Sequence, residues 1–240
     1  MNYRPALNMP PVVKNLILVN VLFFVVTKIM GQTGTDLYQV LGLYFPASDK
    51  FRLHQLFTHM FMHGSIGHIF FNMFALYMFG RVLESVWGPK RFLTFFLVTG
   101  LGAAALHMFV MFIEYKMAIA KISPDQLAYF KDLAAQGKYI PGTVSEKITA
   151  MLNTPTVGAS GAVFGILLGF GMLFPNTELM LLFPPIPIKA KYFVIGYGVL
   201  ELVLGISQPG SNVAHFAHLG GMLFGYFMIR YWNKNSNTFY

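Results

Sequence analysis

The residues with the greatest capacity for chemistry in this chain are one serine and a set of histidines in otherwise apolar surroundings. Ser160 stands in Gly158-Ala159-Ser160-Gly161, at the start of an apolar run. A helix beginning there would leave the N–H groups of its first turn without intrahelical partners. The serine would then sit at the positive end of a helix dipole, among donors able to stabilise an oxyanion. A serine hydroxyl is a weak nucleophile until a base takes its proton. Neutral imidazole suits that task near pH 7, and His215 and His218, at the start of another apolar run, are the candidates. The chain has no cysteine, which excludes thiol nucleophiles, disulfides and thiolate metal sites. Serine or a metal would have to carry any hydrolysis.

Spacing favours His218 as the base. It lies three residues before Gly221 and seven before Gly225, on the glycine face of its helix, whereas His215 lies one turn nearer the preceding loop. Gly161, Gly165 and Gly169 recur every four residues in the run that holds Ser160. Small residues at that spacing let membrane helices pack closely, so two such faces would bring Ser160 within reach of His218. The same glycines could serve packing alone, and the two readings are compatible. Phe164, one turn past Ser160, is placed to pack on the imidazole. No aspartate is near either histidine, so no third, orienting carboxylate is expected. Glu201, in a neighbouring run, is expected to be a buried carboxyl, hydrogen-bonded or protonated, without a catalytic role.

His68 and Asn72 lie four residues apart on one helix face. Both can donate hydrogen bonds to a developing oxyanion; an interhelical polar clamp is the plainer reading. His59 and His63 also have the i, i+4 spacing of a metal pair. With no HExxH pattern and no acid beside them, structural hydrogen bonds are the expectation, and no metal site is assigned.

The elements that would position these groups belong to a membrane protein. Of 240 residues, 55% are hydrophobic and 11% charged, against about 25% charged in soluble domains. Mean hydropathy is +0.57. Disorder is excluded by the apolar and aromatic content. The net charge of +8 is spread among apolar runs rather than gathered on a face, which argues against nucleic-acid binding. Six runs approach the length needed to cross a bilayer: 12–30, 66–87, 92–115, 157–174, 192–206 and 213–232. The first is expected to be a retained helix rather than a cleaved signal. Lys and Arg cluster in alternate short loops, which places both termini on the cytoplasmic side. His68, Ser160 and His218 then begin the second, fourth and sixth helices at one depth, near the outer leaflet. Ionisable groups in membrane spans tend to face the bundle interior or a water cavity. Residues 116–155 form a polar outside loop between helices three and four, with a helical pattern over 124–130. A tolerated insertion is the plain reading of this loop, and a lid the sharper one.

These pieces together resemble the rhomboid family of intramembrane serine proteases. The matching residues are Phe51-Arg52, His59-Met60-Phe61-Met62-His63, His68-Ile69-Phe70-Phe71-Asn72, Glu84, Gly158-Ala159-Ser160-Gly161, and His218-Leu219-Gly220-Gly221 with Gly225. The likeness runs over residues 50 to 230. It implies an all-α, six-helix membrane bundle forming one domain over 1–240, with the 116–155 loop as an insertion. It implies Ser160 as nucleophile and His218 as general base, a dyad. His68, Asn72 and the Ser160 N–H would make the oxyanion hole, shaped by Gly158. Arg52 would belong to the first loop, while Glu84 and His63 would be structural.

The function so implied is hydrolysis of peptide bonds in or near transmembrane segments of other proteins. No cofactor or metal is required. The partners would be membrane-protein substrates and the lipid bilayer, with no nucleic acid. A non-catalytic relative that binds membrane helices is the alternative; such relatives typically lack the serine or histidine that this chain retains. A transporter using Glu201 and the histidines has little support, since no inverted repeat is visible. The expected location is a bacterial inner membrane.

Overall fold

The computed structural model describes residues 9–180, 185–208 and 214–235. It is mostly helical. Ten α-helices are labelled in chain order: α1 Pro11–Gln32, α2 Leu37–Leu41, α3 Gln55–Thr58, α4 Ile66–Ala75, α5 Arg81–Ile119, α6 Pro124–Ala135, α7 Val144–Asn153, α8 Ser160–Leu173, α9 Ala190–Ser207 and α10 His215–Asn235. The expectation of an all-helical chain needs one correction. Two three-residue strands, β1 Glu178–Met180 and β2 Pro187–Lys189, pair antiparallel between α8 and α9.

Among the described residues, three helical stretches are long and apolar enough to cross a membrane: Pro11–Gln32, Ile66–Ile119 and Ala190–Ser207. The second contains α4, a π turn over Leu76–Gly80, and α5. It folds back on itself. Gly88 has φ +78°, a left-handed conformation that glycine adopts without steric cost, and Pro89 follows. In a continuous helix residues 80 and 92 would lie about 18 Å apart. Instead a Cβ placed on Gly80 would stand 3.1 Å from the Phe92 ring. The single apolar run is thus two arms of a hairpin, as the separate runs 66–87 and 92–115 anticipate. Val213, the expected start of the sixth run, lies outside the described residues.

The core is the seam between these arms and α8 and α10. Phe92, Phe95 and Phe96 are fully buried there with Leu76, Leu83 and Ile166. Lipid tails are as apolar as these side chains, so close packing rather than withdrawal from water holds this seam together. On the outside of the bundle, residues such as Leu22, Phe71, Val203 and Phe227 are exposed, as they would be against lipid tails.

Glu84 anchors α1. The helix opens on Pro10-Pro11 with no side-chain cap of its own. The Glu84 carboxylate, 2% exposed, accepts from the N–H groups of Val12 at 2.9 Å and Val13 at 2.8 Å. A carboxylate satisfies free donors there and complements the helix dipole. The expected structural role for Glu84 is the one observed.

Residues 116–119 continue α5 rather than beginning a loop, and the remainder of the expected loop, 120–155, is a folded cap. Ser123 and Gln126 form a capping box at the start of α6, and Pro124 occupies its first position. The sequence pattern over 124–130 marks this helix; α7 was not anticipated. Phe130 and Ala134 of α6 and Ile148, Met151 and Leu152 of α7 enclose a second core with Tyr115 of α5 and Phe45 of the first loop. Ser48 Oγ donates to the Leu152 carbonyl at 2.6 Å, and Lys50 Nζ to Asn153 Oδ1 at 2.8 Å. The cap therefore holds the loop between α1 and α4.

That loop is itself ordered from within. Gln55 is fully buried; its Oε1 accepts from Arg52 N at 3.0 Å, and its Nε2 donates to the Lys50 carbonyl at 3.0 Å. Arg52 turns its guanidinium onto the carbonyls of Asp49 and Phe51.

Candidate active site

The strand-like segment entering α8 is fixed before Ser160 is reached. Leu43 and Thr156 exchange backbone hydrogen bonds at 2.9 and 2.8 Å, and Gly158 N donates to the His59 carbonyl at 2.9 Å. His107 Nε2 meets Thr156 Oγ1 at 3.1 Å. Gly158 has φ +130°, and a Cβ there would stand 2.8 Å from the His68 ring and 3.5 Å from Ser160 Oγ. Only glycine suits both the conformation and the space. Ser160 is then the first residue of α8, with the unpaired donors of a helix N-terminus around it.

His218 Nε2 lies 2.9 Å from Ser160 Oγ. The Phe164 ring stacks flat on the imidazole, with centroids 4.1 Å apart and planes within 5°. Tyr197 of α9 packs on Phe164 in turn. The expected Ser160–His218 meeting and the Phe164 contact are both present. Two residues from helices 58 positions apart in sequence, in hydrogen-bond contact, have the geometry of a nucleophile beside its base.

The glycines explain the approach of the helices, with one refinement. A methyl group at Gly221 of α10 would overlap the Gly161 carbonyl of α8, and one at Gly225 would come 3.5 Å from Gly165 Cα. Gly221 thus rests on the α8 backbone, as expected, whereas a methyl group at Gly225 would lie nearer to Phe95 and Thr99 of α5, at 3.2 and 3.4 Å. The α8 glycines point elsewhere: the missing side chains of Gly161 and Gly165 are replaced by Ala103 and Thr99 of α5. α8 is clasped between α5 and α10, rather than paired with α10 through a shared glycine face.

His68 and Asn72 stand on α4. Ser65 caps that helix, its Oγ accepting from His68 N at 3.1 Å. The His68 ring borders Gly158 and meets the His63 ring edge-on at 5.0 Å. Asn72 is buried and donates from Nδ2 to the His68 carbonyl at 3.0 Å. One amide hydrogen is committed there, and the amide retains a second. His59 Nδ1–H donates to the Gln55 carbonyl at 2.8 Å, a structural hydrogen bond. His63 departs from expectation: neither of its buried ring nitrogens meets a protein hydrogen-bond partner among the described residues. Its backbone carbonyl accepts from Tyr38 Oη at 2.8 Å instead.

The largest correction concerns Glu201. No carboxylate was expected near His218, yet Glu201 Oε2 stands 2.9 Å from His218 Nδ1. The same oxygen is 2.7 Å from His215 Nδ1. All three side chains are buried, at 6% exposure for Glu201, 7% for His215 and 8% for His218. Their ligand atoms lie within 4.8 Å of one another, a spacing that could accept a metal ion. Glu201 lies on α9 one turn past Tyr197, so one face of α9 touches both sides of the imidazole platform. An isolated glutamate in an apolar run was the available signal, but nothing in the sequence gives the rotation of α9 against α10.

The family model of the Rhomboid domain matches residues 50–234. The chain is 32% identical over 215 residues to RHOMBOID-like protein 12, mitochondrial, of Arabidopsis thaliana, covering 88% of this chain and 55% of that protein. It is 25% identical over 165 residues to Rhomboid protein 1, mitochondrial, of Saccharomyces cerevisiae, covering 69% and 38%. With the human Presenilin-associated rhomboid-like protein, mitochondrial, it shares 25% over 227 residues, covering 91% and 48%. The chain belongs to the rhomboid family and is an integral membrane protein. It spans about half the length, or less, of the curated relatives it matches. Their mitochondrial names run against the expectation of a bacterial inner membrane.

Proposed function

We propose that this chain is an intramembrane serine endopeptidase acting on transmembrane segments of other membrane proteins. The observation that carries the reading is the 2.9 Å contact between Ser160 Oγ and His218 Nε2 under the Phe164 ring. Ser160 Oγ attacks the scissile carbonyl carbon while its proton passes to His218 Nε2. The negative charge on the carbonyl oxygen is met by the Ser160 N–H, His68 and Asn72, with Gly158 keeping that space open. His218 then protonates the leaving amine and an acyl-enzyme remains. A water molecule, deprotonated by the same nitrogen, releases the acid and restores the serine. No cofactor takes part.

The proposal includes six passes through the bilayer: α1, the two arms of the 66–119 hairpin, α8, α9 and α10, with both termini on one side and Ser160 near the opposite face. The partners are membrane-protein substrates and the bilayer itself. The test is cleavage of a reconstituted transmembrane substrate with small residues near its outer end. Native protein is expected to cut it, and S160A and H218A to leave it intact while remaining folded. Equal cleavage by S160A would overturn the proposal.

A further inference from the structure

The structure assigns Glu201 as the positioning carboxylate of His218, with His215 holding it in place. The inference rests on the protease reading of Ser160 and His218.

A base that takes the serine proton must present a bare Nε2 to Ser160, so the neutral ring must carry its hydrogen on Nδ1. Nothing in a serine–histidine pair alone enforces that tautomer. In this chain Nδ1 faces a buried carboxylate oxygen at 2.9 Å. Nδ1 makes no directed hydrogen bond, although Oε2 is at contact distance. The same oxygen does make a directed bond to His215 Nδ1, at 2.7 Å. Glu201 is therefore held by its own histidine at contact distance from His218. Hydrogen bonds of catalytic groups are often misaligned before substrate binds and tighten as charge develops. When His218 takes the Ser160 proton it becomes imidazolium, and its Nδ1–H is drawn toward Oε2. The proton from Ser160 stays on Nε2 until it passes to the leaving amine; Glu201 receives none.

The surroundings leave Glu201 as the one acidic group in contact with this ring among the described residues. The other titratable neighbours are His215 on the same helix, with its ring centroid at 6.5 Å, His68 on α4 and His107 on α5. None of these can accept a proton's charge favourably beside an imidazolium. Tyr197, through Phe164, and Glu201 approach the ring from one helix, so α9 would fix both its plane and its tautomer.

The test compares native protein with E201Q, E201D and H215Q on the same reconstituted substrate. E201Q is expected to lower kcat roughly 10²-fold or more with KM nearly unchanged, since correct acid–base catalysis is worth about 10²–10⁴-fold. E201D, which keeps the charge on a shorter arm, should recover part of that loss, and H215Q should fall between E201Q and native. A merely structural glutamate, tying α9 to α10 through His215, would give E201Q and H215Q equal effects on stability and no loss of kcat in the folded fraction. That result overturns the inference. Histidine-selective ¹⁵N NMR of the native chain needs no Glu201 variant. His218 protonated at Nδ1 supports the assignment, and His218 protonated at Nε2 overturns it. If native protein and S160A cleave alike, the protease reading itself has failed, an outcome distinct from any result at Glu201.

Discussion

Gly221 of α10 rests on the carbonyl of Gly161 in α8, with no room for even a methyl group between them. This contact sets the distance from Ser160, one residue before Gly161, to His218, three residues before Gly221. The obstacle is backbone, which cannot rotate away as a side chain could. G221V is expected to push α10 outward, costing about 1–3 kcal/mol of stability. It should cut cleavage about 10²-fold, the penalty for misplacing reacting groups by about an ångström. Thermal unfolding and the cleavage assay on the same preparation check both effects.

Phe164 offers a gentler perturbation. Its ring lies flat on His218 at 4.1 Å, and F164A would free the imidazole to rotate without altering either reacting group. A fall in kcat of roughly 10-fold, well short of the loss in H218A, is expected for a group that only orients the base. Steady-state kinetics in detergent or liposomes would measure it.

How much of this was legible in the sequence differs from residue to residue. Ser160, Phe164, His218 and the glycines could be read because each signal is a spacing along one helix, and helical period fixes which residues share a face. Glu201 could not. Its meeting with His218 depends on how α9 is turned against α10, and a glutamate in an apolar run carries no partner's address. The cap was half legible: Ser123, Pro124 and Gln126 mark where α6 begins, but α7 is short and shows its apolar side only to the cap's own core. The Gly88 reversal was visible as a gap between two apolar runs, whereas the small β1–β2 pairing was not, since three-residue strands have too few alternations to show a period.

Glu84 gives a prediction remote from the site. Its carboxylate satisfies two N–H groups of α1 at 2.8–2.9 Å while 2% exposed. E84A leaves those donors unpaired and should destabilise the protein by about 1.5–3 kcal/mol. The midpoint of unfolding in detergent should fall, while the folded fraction keeps its reactivity at Ser160.

His59 ties stability to pH. Burial holds its imidazole down at about 4, below its ordinary value of 6.5. The unfolded chain therefore binds a proton that the folded chain refuses between those values. The contribution is absent above pH 6.5, and stability falls as pH drops from 6.5 toward 4, by roughly 3 kcal/mol at most. H59Q, whose amide can keep the hydrogen bond to the Gln55 carbonyl, should show a flatter stability profile over that interval. Unfolding midpoints between pH 7.5 and 4.5 would show the difference.

The cap predicts where the chain yields first. Ile148 is fully buried in the second core, which the cap shares with Tyr115 of α5, so I148A should loosen α6 and α7 by about 2–5 kcal/mol. Limited proteolysis should then cut faster within residues 120–153. Because the cap also holds Ser48 and Lys50, hydrogen exchange should rise in the first loop.

The proposed dyad requires that His218 make Ser160 a nucleophile. The direct measurement is reaction with a fluorophosphonate, followed by mass spectrometry to locate the adduct. A single adduct on Ser160 is expected in the native protein, none in S160A, and a rate reduced at least about 10²-fold in H218A. An unlabelled native protein, or labelling of Ser160 at the same rate without His218, would contradict it.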